Sequence, residues 1–292
     1  MKLKELIKSI RLIYIPLYFF RSLIKRFVVS IKFIFKKRHV EGENKELIIM
    51  GTGPSLKTDI NSIVDTRASR NIMAVNSYCL EKYFDILKPE YYVLADPVYY
   101  SKNVEGIGKE NRNLFVKTVK EKVNWKMIII IPEAGKHSWL VNEFNNSNYI
   151  SFQYLPDNCD YFPFCMKKFK AYNKYIARPW IQNVLQMCLF FAISNNFKKV
   201  YLYGADHNWC KDITVNKDNV VCIEEKHCYD DERHKFHAIE KVDGSYWTMG
   251  ELFEAWTKVY NGYYELEQYA KYNNVKIYNC SSTSFIDAFE RS

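Results

Sequence analysis

The sequence predicts an α/β protein: a doubly wound parallel sheet with a lid or insert region, preceded by a basic amphipathic helical segment. Three observations lead there. Short apolar runs of strand length recur between residues 45 and 290, and strands buried on both faces read as such runs. Helical patterns stand between them, and strand–helix alternation argues for a parallel sheet. Polar residues follow most of the runs, where open parallel sheets bind their ligands.

The elements follow in order. Residues 1–40 form the N-terminal unit. Leu3, Leu6, Ile7, Ile10, Ile13, Tyr14 and Leu17 recur at gaps of three and four, which is helical spacing. Pro16 divides the pattern, because it lacks an N–H and clashes with the preceding turn. Residues 1–38 hold eleven Lys or Arg and a single acid, Glu5, for a net charge of +10. The longest uncharged run, 12–20, has nine residues, against the roughly 20 that a spanning helix needs. Arg21-Ser22-Leu23-Ile24-Lys25-Arg26 follows in place of a small-residue cleavage site, so a secretory signal is not expected. The expectation is an interfacial segment on an anionic membrane surface. That puts the protein in the cytoplasm, peripheral on the inner face of the bacterial cytoplasmic membrane. The alternative is docking on the protein's own body or on a second subunit, which leaves a homo-oligomer open.

Residues 45–290 form one domain. Strands are expected at 45–50, Asn71–Val75, 91–95, 126–131, Lys199–Tyr203 and 275–278, and helices at 180–194 and 250–272. Residues 132–178 and 207–248 are aromatic and irregular, the expected lid or insert regions.

Composition narrows the function. Hydrophobic residues make up 48% and charged residues 26%, which excludes a disordered chain. The net charge is +9, so the chain outside 1–38 carries −1. A nearly neutral body is not that of a nucleic-acid binder. The eight cysteines read as reduced thiols in the absence of a secretory signal. Cys210, Cys222 and Cys228 lie near His207, His227, His234 and His237, but none of these cysteines forms a C-x-x-C pair and zinc is not expected.

Candidate site residues sit at the strand ends. Gly51-Thr52-Gly53-Pro54-Ser55-Leu56 is a glycine loop between a strand and a helix. Its N–H groups and the helix start would favour a phosphate. It lacks both the Walker Gly-Lys-Ser/Thr and the third glycine of a dinucleotide fingerprint, and a tight turn with a Ser cap is the plainer reading. Asn76 and Asp96 follow the next two strands and would bond a base, a ribose or a sugar hydroxyl, or else cap a helix. Arg178, beside Pro179, would bind an anionic substrate ahead of a helix. Gly204, Asp206 and His207 end the fifth strand, and Ser281 follows the sixth. His227 lies in the loop beyond with Tyr229, Asp230 and Asp231. A histidine near a strand end suits a general base. The chain has no Asp-x-Asp pair, so a metal–diphosphate complex is not expected.

Residues 48–56, Asn76, the stretch from Met187-Cys188 to Lys199-Val200-Tyr201-Leu202-Tyr203-Gly204-Ala205-Asp206, and Ile277-Tyr278-Asn279-Cys280-Ser281 through Phe285 together resemble the bacterial lipooligosaccharide sialyltransferases of glycosyltransferase family 42. The glycine loop and the Gly-x-Asp segment are shared by a wider group, the DUF115, MptE-like proteins, grouped by similarity to an archaeal 6-hydroxymethylpterin diphosphokinase. The resemblance covers 45–290 in patches. It implies a Rossmann-like domain that transfers a sugar from a CMP-sugar, with no cofactor and no metal. The glycine loop and Asn76 would hold the nucleotide, tyrosines would grip the phosphate, and a histidine would deprotonate the acceptor. The sequence departs from the family in having His207-Asn208-Trp209 where the family has an aromatic pair. His237 is nearest in position to the family histidine, whereas His227 has the more polar surroundings. The resulting expectation is a membrane-associated, metal-independent glycosyltransferase acting on a glycan or lipid-linked acceptor of lipooligosaccharide, O-antigen or capsule. His227 would be its base, and the glycine loop, Arg178 and Tyr229 would stabilise the leaving nucleotide. The rivals are an ATP-dependent pyrophosphokinase and a non-catalytic membrane-bound scaffold.

Overall fold

The computed structural model describes residues 45–159, 167–224, 228, 236–241 and 244–292. The basic segment 1–40 and the expected site residues His227 and Tyr229 lie outside the described residues.

The chain begins with β1 (Glu46–Met50), α1 (Leu56–Thr66), β2 (Asn71–Val75), α2 (Phe84–Leu87) and β3 (Tyr91–Val93). Next come α3 (Gly106–Lys122), β4 (Met127–Pro132), α4 (Trp139–Glu143) and β5 (Ile150–Leu155). Then follow α5 (Lys168–Asn173), α6 (Val184–Ser194) and β6 (Lys199–Tyr203). The last third holds β7 (Ile213–Val215), β8 (Val221–Ile223), β9 (His237–Ala238), α7 (Met249–Tyr272), β10 (Lys276–Asn279) and β11 (Glu290–Arg291).

Eight strands form one sheet in the order β11-β10-β6-β1-β2-β3-β4-β5, and every pairing is parallel. From β1 the chain builds outward to β5, then returns across α6 to β6 on β1's other side. The topological switch therefore lies between β1 and β6, where ligands of such sheets bind. Strand alternation sends side chains to two cores. Leu47, Ile49, Met73, Val75 and Val93 pack with α6 and α7 on one face. Ile48, Met50, Ile72, Ala74 and Leu94 pack with α1 and α3 on the other.

Helix α6 is the central pillar, buried from Leu185 through Ser194. A helix apolar all round must be covered on all sides, and its few polar groups are bonded accordingly. Gln186 Nε2 donates to Val259 O at 2.7 Å, and the Ser194 and Tyr269 hydroxyls meet at 3.0 Å. Both bonds tie α6 to α7. Gly262 permits this approach, because a Cβ there would stand 2.4 Å from Gln186 Nε2.

Three expectations change. Region 132–178 is not wholly irregular: it supplies β5, the edge strand beside β4. Helix α6 starts at Val184 rather than 180, with Asn183 as its N-cap accepting the Gln186 N–H at 3.0 Å. Arg178 and Pro179 therefore precede the helix by a full turn instead of opening it. Region 207–248 contains a small antiparallel sheet of order β7-β8-β9.

Candidate active site

The glycine loop is joined to the end of β6. Gly51 N donates to Tyr203 O at 2.8 Å and Gly53 N to Gly204 O at 2.9 Å. The approach needs glycine on both sides. A Cβ on Gly51 would lie 2.4 Å from Gly204 O, and one on Gly53 2.0 Å from Asp206 Oδ2. Gly204 itself has φ 62°, in the left-handed region, where glycine carries no Cβ penalty.

Asp206 locks this junction. Its Oδ2 accepts the Ser55 hydroxyl at 2.9 Å and the Ser55 N–H at 3.3 Å, and its Oδ1 accepts the Thr283 hydroxyl. Ser281, also buried, accepts the Ala205 N–H at 2.9 Å. Ser55, Asp206 and Ser281 thus hold backbone in place. The loop's N–H groups are engaged too: Leu56 N bonds Gly53 O and Lys57 N bonds Pro54 O. Pro54 has none to give. Among the described residues only the Thr52 N–H in residues 51–57 has no partner, so the loop is less of a phosphate cradle than the sequence suggests.

A cleft of about 390 Å³ opens beside this junction. Gly51, Thr52, Gly53, Pro54, Gly204, Asp206 and His207 line it, joined by Asn183, Trp209, Lys211 and Thr283. His207 has φ 48°, a conformation that costs a bulky residue energy and concentrates at functional sites. Its Nε2 lies 2.7 Å from the Tyr263 hydroxyl and 3.3 Å from Asn183 Nδ2. The Tyr260 hydroxyl donates to its backbone oxygen at 2.6 Å. The ring rests on Trp209, centroids 4.3 Å apart, and Trp209 stacks on Trp256 at 6.1 Å. Burial pushes the His207 pKa down to about 3. The ring is neutral at neutral pH, and that removes the near-neutral pKa on which the expectation of a base at His207 rested.

A second chamber, of about 520 Å³, spans the ends of β2 to β5. Asn76, Asp96 and Arg178 line this chamber and not the first; Asn183 and Val184 line both. Asn76 has φ 50°, which asparagine tolerates. Asp96 does cap: its Oδ1 accepts the Val98 N–H at 2.8 Å. Arg178 is half-buried, and its Nη1 donates to Pro179 O at 3.1 Å.

The sequence does not single out Asn183, Lys211 and Thr283 in the first cleft, Tyr263 behind His207, or Tyr100, Asp157 and Gln182 in the second chamber. Asn183 alone carried a local signal, an N-cap residue immediately before an apolar helical run. Among the described residues no three His, Cys, Asp or Glu side chains converge as a metal set.

Fold and cleft together define a Rossmann-like α/β protein with a cleft at the switch point. Within that class the chain belongs to the MptE-like family: the family model described as 6-hydroxymethylpterin diphosphokinase MptE-like matches residues 21–212. The chain is also similar to a solved structure, the MAf glycosyltransferase from Magnetospirillum magneticum AMB-1. That likeness has 13% identity and a TM-score of 0.50, and covers 87% of this chain and 34% of that one. At this identity it speaks for the fold, and the chain spans about a third of that protein's length. No curated protein matches the sequence.

Proposed function

We propose that this chain is a glycosyltransferase that moves a sugar from a nucleotide donor, a CMP-sugar by the resemblance, to a glycan or lipid-linked acceptor of the bacterial surface. The observation that carries the reading is the make-up of the first cleft. Trp209, packed against His207 and Trp256, presents a half-buried aromatic edge to a base, and Lys211 offers a cation for a phosphate, at the mouth of the glycine loop. Aromatic contact suits a base, and a lysine cation suits a phosphate. The Thr52 N–H adds a donor at the start of the loop.

In this reading the nucleotide leaves with its charge held by Lys211 and by neutral donors, a task that needs no metal. Asp206, Ser55 and Ser281 keep the loop in register. The basic segment 1–38 holds the enzyme at the membrane face where a lipid-linked acceptor lies. A second reading, diphosphate transfer from ATP, is favoured by the family's description and would use the same cleft.

A thermal-shift panel of CMP, CDP, UDP, GDP and ATP, each with and without Mg²⁺, separates the two. A ligand at a hundredfold excess over its Kd stabilises the fold by about 2.7 kcal/mol. The expected result is stabilisation by CMP without metal, reduced in Lys211→Ala and Trp209→Ala. A shift with ATP and Mg²⁺ alone would move the assignment to diphosphate transfer. No shift with any nucleotide would leave a scaffold.

A further inference from the structure

The second chamber differs in chemistry from the first. Arg178 brings a guanidinium that makes no ion pair among the described residues, its one hydrogen bond being to its own neighbour, Pro179 O. Arg178 lines the chamber together with Tyr100 and Asp157. A half-buried guanidinium that makes no ion pair keeps donors free for a ligand. The planar fork matches a carboxylate or a phosphate through two parallel bonds.

The rest of the wall is built for hydroxyl groups. Asp96 and Asp157 each give one oxygen to a backbone N–H, of Val98 and of Ala134. The other oxygen of each has no hydrogen-bond partner among the described residues. The amides of Asn76 and Gln182 add donors and acceptors. Two carboxylates near one guanidinium disfavour a bare anion, but they reward an anion that also carries hydroxyls. The volume suits a small molecule. The chambers meet at Asn183 and Val184, so a group held in one lies next to a group held in the other.

We infer that the second chamber binds a hydroxylated anion, a sugar phosphate or a sugar carboxylate, gripped by Arg178, as the partner of the nucleotide in the first cleft. This rests on the transferase reading and refines it. Asn76 and Asp96, expected from sequence to bond a base, a ribose or a sugar hydroxyl, and Arg178, expected to bind an anionic substrate or the leaving nucleotide, here serve the other substrate.

The test is calorimetric titration of the full chain, with and without the nucleotide found in the thermal-shift panel. The probes are glucose 6-phosphate, glucuronate, glucose and inorganic phosphate. One of the two sugar anions binds, and which one tells phosphate from carboxylate. Glucose and inorganic phosphate bind at least tenfold more weakly. Arg178→Ala weakens the sugar anion at least tenfold, Arg178→Lys less, and the nucleotide Kd stays within twofold in both. The inference is overturned if neither sugar anion binds, if Arg178→Ala leaves its affinity unchanged, or if inorganic phosphate binds equally well. It is also overturned if Arg178→Ala weakens the nucleotide as much as the sugar anion. A wild type that binds the sugar anion through Arg178 but no nucleotide overturns the transferase reading instead, and with it the role of partner substrate.

Discussion

His207 concentrates the properties of a functional residue: a left-handed backbone, a buried ring, and Nε2 fixed between Tyr263 and Asn183. Its pKa makes a prediction about stability. Unfolded, the ring titrates near 6.5; folded, burial lowers it to about 3. Above pH 6.5 both states are neutral and stability does not depend on this group. As pH falls from 6.5 towards 3, the unfolded state takes up the proton first, so stability is lost. The loss approaches about 1.4 kcal/mol per pH unit across that window. His207→Asn keeps a residue that accepts the left-handed backbone and removes the titration. Urea melts at pH 7 and pH 4.5 should show a smaller acid loss in the variant than in wild type. Equal losses would mean that the ring is not held neutral. The sequence places His207 at a strand end, but its neutrality comes from burial, and Tyr263 and Asn183, which meet its ring nitrogen, lie more than 20 residues away along the chain.

At the scale of elements, helix α7 shows how a local signal fixes a boundary. Thr248 accepts the Glu251 N–H, and Glu251 accepts the Thr248 N–H at 2.9 Å, a complete capping box. Lys241 completes it by donating to Glu251 Oε1 at 2.6 Å. Thr248→Ala should cost about 1 kcal/mol, read as a lower denaturation midpoint with an unchanged m-value; an unchanged midpoint would show that packing alone sets the helix start. Elements with strong local patterns were legible: β2 and β6 fall on the residues expected, and α7 within one. The edge strand β5 is not among the expected strands, although Ile150, Phe152 and Tyr154 alternate as a strand should. Aromatic side chains there pack beside one another, Phe152 on Tyr154 at 6.5 Å, and without the β4 pairing they read equally well as a loop. The apolar run predicts too early a start for α6 because Trp180 and Ile181 extend it, whereas the N-cap at Asn183 sets the boundary.

At the scale of the whole molecule, strand number and type follow from local apolar runs, but strand order follows from pairing across distances such as Glu46 with Lys199. The division of the strand ends into two chambers depends on that order, so a chain-wise list of polar residues merges them. The basic segment is the opposite case, legible in the sequence and outside the described residues. Its +10 charge against a body of −1 predicts anionic-lipid binding that responds to salt. Each Lys or Arg near such a surface contributes about 1 kcal/mol, and screening shortens the reach from about 8 Å at 0.15 M salt to about 3 Å at 1 M. Full-length protein should sediment with phosphatidylserine-containing vesicles and not with pure phosphatidylcholine. Raising the salt to 1 M should release most of it. Replacing Lys25, Arg26, Lys36, Lys37 and Arg38 together by Gln should weaken binding at least tenfold while leaving nucleotide affinity unchanged, since the body that forms the cleft is untouched. Equal binding to both kinds of vesicle would show insertion driven by the apolar face alone. Binding to neither would place the segment against protein, and the oligomeric state of the charge variant would then identify whether its partner is a second copy of the chain.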